Sequence, residues 1–288
     1  MCLVAVKQPY VLQIMYDEDG PNPRVDYDNF GKMMCWHSRY NLGDEHSYSE
    51  PRNFLEQLVT DSIPAKDIVA YAKDGKADGV KLEYDRAAHA WTVTSYDNYF
   101  KKWFTDCTFE GKLTNGIDEL AEGITGALYM KDLLTLAQQK NCILECNLYD
   151  HSMLSMSTSS FIGRAHHAEW DSGQVGWIYA SHEDVKKEYG SITPETLEKA
   201  EMLLRAEVET YDCYLSNQCY GFRLYKDGAE EDSCWGFLGY INDIKKDIAG
   251  YLPEECQSMV DDMEDIEDRE FDDYLYRDHD LEEEMEAM

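Results

Sequence analysis

Two stretches of the chain mix histidine, aspartate, serine, arginine and glycine in a way that could carry chemistry. Residues 35–46 read CWHSRYNLGDEH. The second begins at Leu148-Tyr149-Asp150-His151-Ser152 and resumes at residues 170–177, WDSGQVGW. Both lie where a strand is expected to meet a loop, and loops carried on a rigid sheet are the usual location of sites. Neutral imidazoles and carboxylates are common metal ligands. His37, Arg39, Asp44 and His46, joined by Asp150, His151 and Asp171, would therefore suit a metal-assisted hydrolase acting on nucleic acid or a nucleotide signal. His166 and His167 are further conceivable ligands, although no HxH, HxxxH or HExxH pair supports a metal. Asp150, His151 and Ser152 cannot form a triad among themselves, because adjacent strand residues point to opposite faces. A triad would need a partner from elsewhere, such as His37 or Asp171. The competing reading is a structural polar network that ties the loops together, since buried polar groups need partners. No GxSxG elbow, GxGxxG turn or GxxxxGK[ST] loop is present, so neither a nucleophile elbow nor nucleotide binding has support. No cofactor is expected.

The elements that must position these residues belong to an unusually acidic chain. Asp and Glu number 58 against 26 Lys and Arg, a formal net charge of −32. Hydrophobic residues make up 43%, enough for a real core, so this is not a disordered polyanion. Such charge costs stability through self-repulsion. It also disfavours direct binding of a phosphate backbone, where cations supply the affinity. The complementary reading is that carboxylates are presented to a surface that normally holds phosphates. Solubility or halophilic adaptation are the plainer alternatives. Tyrosines sit beside acids (Tyr27-Asp28, Tyr84-Asp85, Tyr96-Asp97, Tyr211-Asp212 and Asp273-Tyr274) rather than beside Lys or Arg, a pattern that suits a protein-binding surface.

The periodicities predict an α+β fold, a mostly antiparallel sheet packed by helices, with an acidic helical C-terminal extension. Leu3–Val6 and Tyr10–Tyr16 read as strands around Gln8-Pro9, and Val80–Tyr84 with Trp91–Ser95 as a hairpin. Asn53–Val59 and Ala65–Lys73 read as short helices, Ile117–Lys140 as one helical stretch, and Asp26–Pro51 as ordered but irregular. Cys142–Leu148, Val175–Ala180, Tyr220–Tyr225 and Cys234–Leu238 read as strands. Thr193-Pro194 starts a helix that runs to Leu215, with Thr as N-cap and Pro at N1. Ser155–Arg164 reads as a loop. The expected organisation is residues 1–140, 141–253 and an acidic tail 254–288. That tail holds 17 acids and two arginines, net −15, against −17 for the other 253 residues. Met259, Met263, Ile266, Phe271, Tyr274, Leu275, Leu281 and Met285 fall near helical spacing, so one or two acidic helices with a narrow apolar stripe are expected there. Nine cysteines without a CxxC read as reduced, mostly buried thiols, with Cys142 and Cys146 on one face of their strand.

The same stretches carry a resemblance. WHSRYNLGDEH at 36–46, LYDHSMLSMSTS at 148–159, WDSGQVGWIYAS at 170–181, EYG at 188–190, YDCYL at 211–215 and DSCWGFLG at 232–239 resemble the motifs of an acidic protein family of bacteriophages and integrative elements. The resemblance spans most of residues 26–239. The chain departs from the pattern at Ser38 and at Met153, where glycine is more usual, and the acidic tail lies outside it. It implies a setting rather than an activity: a mobile element inside a bacterial cell.

Taken together, the expectation is a cytoplasmic counter-defence protein of a phage or mobile element. It would inhibit a CRISPR-Cas or restriction system as an acidic nucleic-acid mimic, with an analogy to antirestriction and anti-CRISPR DNA mimics. Its partner would be the basic nucleic-acid-binding surface of a host complex, with no direct nucleic-acid binding and no membrane. The carboxylates expected to make that contact are Asp261, Asp262, Glu264, Asp265, Glu267, Asp268, Asp272 and Asp273.

Overall fold

The computed structural model describes residues 1–110 and 116–276. In chain order the elements are β1 (Cys2–Lys7), β2 (Tyr10–Tyr16), α1 (Pro23–Asp26), β3 (Lys32–Cys35), α2 (Pro51–Ser62), α3 (Ala65–Lys73), β4 (Val80–Asp85), β5 (Ala90–Asp97) and β6 (Lys102–Glu110). Next come α4 (Ile117–Ala127), α5 (Met130–Ala137), β7 (Asn141–Asp150), β8 (Leu154–Ser157), α6 (Ala168–Asp171), β9 (Ser172–Ser181), α7 (His182–Tyr189) and α8 (Pro194–Leu215). The chain closes with β10 (Cys219–Lys226), β11 (Ala229–Leu238), α9 (Ile241–Ala249), β12 (Glu264–Ile266) and α10 (Phe271–Tyr276). The fold is α+β with antiparallel strand pairing, as expected. No described helix is long and apolar enough to cross a membrane.

The chain forms two compact units. Unit 1 comprises residues 1–29, 147–174 and 205–288; unit 2 comprises 30–146 and 175–204. Unit 1 is built on a five-stranded sheet in the order β11-β10-β2-β1-β12. Four consecutive residues of β1 and five of β2 are buried, so these strands are apolar continuously rather than alternately. On one face Leu12, Ile14, Phe222 and Leu224 pack with Ile244, Ile248, Met259 and Val260. On the other, Cys2, Val4, Val11 and Tyr225 pack with Phe271. Unit 2 surrounds Phe54, Leu55, Val59, Ile68, Leu120, Ile124 and Leu133, which come from α2 to α5 and close over Val80 and Val93 of the β4-β5-β6 meander. Elsewhere in unit 2, β3 pairs with β9; Gly176 is forced there, since a Cβ would lie 1.9 Å from the Met34 carbonyl oxygen.

α8 starts as predicted, with the Thr193 hydroxyl accepting the Thr196 N–H at 3.2 Å and Pro194 as its first residue. Ala200, Leu204, Val208 and Tyr211 are its buried stripe. The expected helical stretch 117–140 is instead α4 and α5, because Leu128 and Tyr129 are extended. Arg52 fixes the break by donating to the carbonyls of Gly126 (2.6 Å) and Leu128 (3.0 Å), carbonyls freed where α4 ends. Within the segment read as irregular, Lys32–Cys35 is a strand. Ser155–Ser157, read as loop, belongs to β8, and β6 was not anticipated. The nine cysteines are thiols, and all but Cys107 and Cys234 are buried, Cys142 and Cys146 included.

The acidic extension is helical only in part. Gln257–Asp261 and Asp268–Glu270 are 3-10 turns and Phe271–Tyr276 is α10, but Glu264–Ile266 is a strand. Its reason lies at the other end of the chain: β1 would otherwise be an edge with unpaired backbone groups. β12 covers it in the register Cys2–Ile266, Leu3–Asp265 and Val4–Glu264. Residues 277–288, including Leu281 and Met285 of the expected stripe, lie outside the described residues.

Candidate functional site

The carboxylates singled out in the C-terminal segment are all exposed: Asp261, Asp262, Glu264, Asp265, Glu267, Asp268, Asp272 and Asp273. Their apolar neighbours point inward. Met259, Val260 and Phe271 are buried, and Ile266, Tyr274 and Leu275 pack beside Phe271. The Phe271 ring lies 5.4 Å from that of Tyr225, and Tyr274 Oη donates to Glu264 Oε2 at 3.2 Å. Full burial of one such ring contributes about 1.5–3 kcal/mol, so the acids ride on an anchored frame. Burial pushes the Cys2 thiol pKa up, and Asp268 and Asp265 add to the push by their charge. At the opposite edge of the same sheet, Glu230, Glu231 and Asp232 of β11 are also exposed.

Charge is divided unequally between the units. Unit 1 holds 34 acidic and 10 basic residues, net −24, and unit 2 holds 24 and 16, net −8. Cations do not intersperse the C-terminal segment either. Arg269 is the only one among residues 254–276, and it pairs with Glu267 at 2.6 Å.

The histidine-bearing candidates fall into two groups. In unit 2, Asp44 is a clasp: its Oδ2 accepts from Met33 N and its own N–H donates to Met33 O, both at 2.8 Å. Gly43 makes the turn with φ of +70°, and a Cβ there would lie 2.5 Å from that same Met33 oxygen. His46 Nε2 bonds the Cys35 carbonyl at 2.9 Å, so that nitrogen carries the proton. Its ring lies 4.7 Å from that of Trp36. His37 accepts from Arg39 N at 3.3 Å and stacks on Tyr40 at 5.0 Å, with the Arg39 guanidinium 5.3 Å from that ring. Residues 36–46 are thus a loop folded back onto β3, and the bonds of Asp44 and His46 are those of a structural polar network.

In unit 1 His151 and Asp171 are hydrogen-bonded, with Nδ1 and Oδ2 at 2.8 Å. The strand β7 delivers Tyr149 and Asp150, and His151 follows it. α6 delivers Asp171 from twenty residues further on. His166 and His167 stand close by, their ring centroids 6.1 and 6.3 Å from that of His151 and 3.7 Å from each other. Tyr149 organises the cluster. Its ring lies 5.9 Å from His151 and 5.4 Å from Phe161, and its hydroxyl donates to the His166 carbonyl at 2.9 Å. Arg164 closes the intervening loop by donating to Ser160 O and Ser159 O, at 2.8 and 2.9 Å. Trp170, which precedes Asp171, is 87% exposed. Tyr149 was missed as an organiser; its place within LYDHS was the available signal. Among the described residues no three His, Cys, Asp or Glu side chains are placed to hold a metal ion.

Asp212, of the motif YDCYL, holds β8 in place. It accepts from Met156 N at 2.7 Å and bonds the Ser155 and Tyr240 side chains, while burial pushes its carboxyl pKa up.

Comparison with protein-family models, curated proteins and solved structures finds no match.

Proposed function

We propose that this chain is a counter-defence protein of a phage or other mobile element. It acts in the bacterial cytoplasm and inhibits a nucleic-acid-targeting system, CRISPR-Cas or restriction, by standing in for nucleic acid. The observation that carries the reading is the exposed run of carboxylates from Asp261 to Asp273, held to a sheet edge by β12 and by the buried Phe271. A mimic needs charges at fixed spacing. The backbone of β12 fixes Glu264 and Asp265, and that of β11 fixes Glu230, Glu231 and Asp232. The net charge of −24 in unit 1 adds long-range attraction toward a basic channel, and steered association of this kind is fast and salt-sensitive.

The partner is the basic nucleic-acid-binding surface of a host defence complex. Displacement of a labelled duplex from purified CRISPR-Cas effector complexes and restriction endonucleases tests this. Stoichiometric displacement that weakens as salt rises supports the reading. If no complex releases its duplex, or release is indifferent to salt, the mimic reading fails.

A further inference from the structure

The cluster around His151 can do something the carboxylate surface cannot. We infer that His151, Asp171 and His166 form a metal-independent general acid–base site that cleaves short 3′,5′-linked oligoribonucleotides. The inference stands apart from the mimic reading, since it uses different residues.

The bond from Nδ1–H of His151 to Asp171 Oδ2 fixes the tautomer and leaves Nε2 with its lone pair. His151 follows β7 directly and its side chain is 45% exposed. His166 supplies a second imidazole, its ring 6.1 Å away and turned by 73°. Tyr149 holds both, with its ring beside His151 and its hydroxyl on the His166 backbone. Asp171 acts through His151 and is a positioning residue.

A base beside an acid suits a reaction whose nucleophile is already in the substrate. The ribose 2′-hydroxyl is such a nucleophile, and deoxyribose lacks it. Nε2 of His151 takes the 2′-OH proton, and the 2′-oxygen bonds to the adjacent phosphorus as the P–O5′ bond breaks. The His166 imidazolium gives its proton to the departing 5′-oxygen. The products are a 2′,3′-cyclic phosphate and a 5′-hydroxyl, with no oxidant, reductant or added water. Net charge sets the substrate's size: a chain at −32 repels a long polyanion, whereas a few phosphates meet far less repulsion. The exposed Trp170 ring is available to stack on a base.

The test uses the full chain with a labelled hexaribonucleotide of mixed sequence and its all-deoxy counterpart, in EDTA, with mass analysis of products. The expected result is a 2′,3′-cyclic phosphate from the ribose hexamer alone. His151→Ala and His166→Ala, purified in parallel, should each lose about 10²–10⁴-fold in rate, and added imidazole should restore part of the His151→Ala loss. Asp171→Asn should lower kcat with KM unchanged. An intact hexamer, cleavage of the deoxy strand, or equal rates in wild type and His151→Ala would each overturn the inference. Duplex displacement by the carboxylate surface should be unaltered in all three variants, which separates this inference from the mimic reading.

Discussion

Asp265 sits directly opposite Leu3, at the centre of the three-residue pairing between β12 and β1. One residue of this pair is buried and the other exposed. The acidic end of the chain is therefore a structural strand and a charged surface at once. Removing residues 254–288 would uncover the β1 edge and strip Met259, Val260 and Phe271 from the core. Substitution is a cleaner probe of the charge than truncation.

Phe271→Ala should cost about 3–5 kcal/mol, the usual range for a buried phenylalanine. Every carboxylate remains, but its frame is loosened. Amide hydrogen exchange should rise in Glu264–Ile266 and in the facing residues of β1, and duplex displacement should weaken at unchanged net charge. Displacement at full strength, in protein whose β12 exchanges freely, would show that the frame is unnecessary.

Replacing Glu264, Asp265, Asp268 and Asp272 by their amides keeps shape and removes four charges. Affinity for the host complex should fall by at least about tenfold at low salt. The slope of log affinity against log salt should shrink by about one for each engaged carboxylate. An unchanged slope would place the contact elsewhere.

Asp212 gives a pH test whose sign is fixed by burial. Its folded pKa is raised, so its protonated form favours folding. That contribution is complete below the unfolded carboxylate range and is lost as pH rises through the folded value. Wild type should therefore gain on Asp212→Asn as the pH falls from 7 toward 4. Urea melts of both proteins at each pH measure the difference, in which other titrating groups largely cancel. A difference that stays flat would contradict the burial argument.

Tyr71 donates to Oδ1 of the buried Asp132 at 2.9 Å, and burial and that bond push its pKa up to about 12. Tyr71→Phe leaves Asp132 with the longer bond from Asp78 N, at 3.2 Å. It should cost about 1.5–3 kcal/mol at neutral pH, the range for a hydrogen bond to a charged group. The contribution is present below about pH 10 and should be lost as pH rises toward 12. Stability curves of the two proteins that remain parallel across that range would refute it.

Long or strongly patterned elements were legible in the sequence. The three-turn stripe of Ala200, Leu204, Val208 and Tyr211 behind a Thr-Pro start announces α8, and the apolar runs announce β1 and β2. β12 was not legible, because Glu-Asp-Ile has no strand signal of its own. It is a strand only because β1, more than 250 residues earlier, offers it an edge. The break between α4 and α5 was likewise hidden, since it depends on Arg52 in α2. At the candidate site, residue types marked both loops, and Asp171 was one of two candidate partners, with His37, for a triad there. What spacing could not reveal was that Asp44 and His46 turn back onto β3, while His166 comes within reach of His151 through a tyrosine clamp.

The central claim is that fixed carboxylates replace phosphates on a basic host surface. Its most direct test is a competition titration. A labelled duplex is displaced from a purified host effector complex by wild type and by the four-amide variant, at 50 and 200 mM salt. The account predicts stoichiometric displacement by wild type that weakens steeply with salt, and a weaker, flatter response from the variant. Equal displacement by the two proteins at both salt concentrations would contradict it.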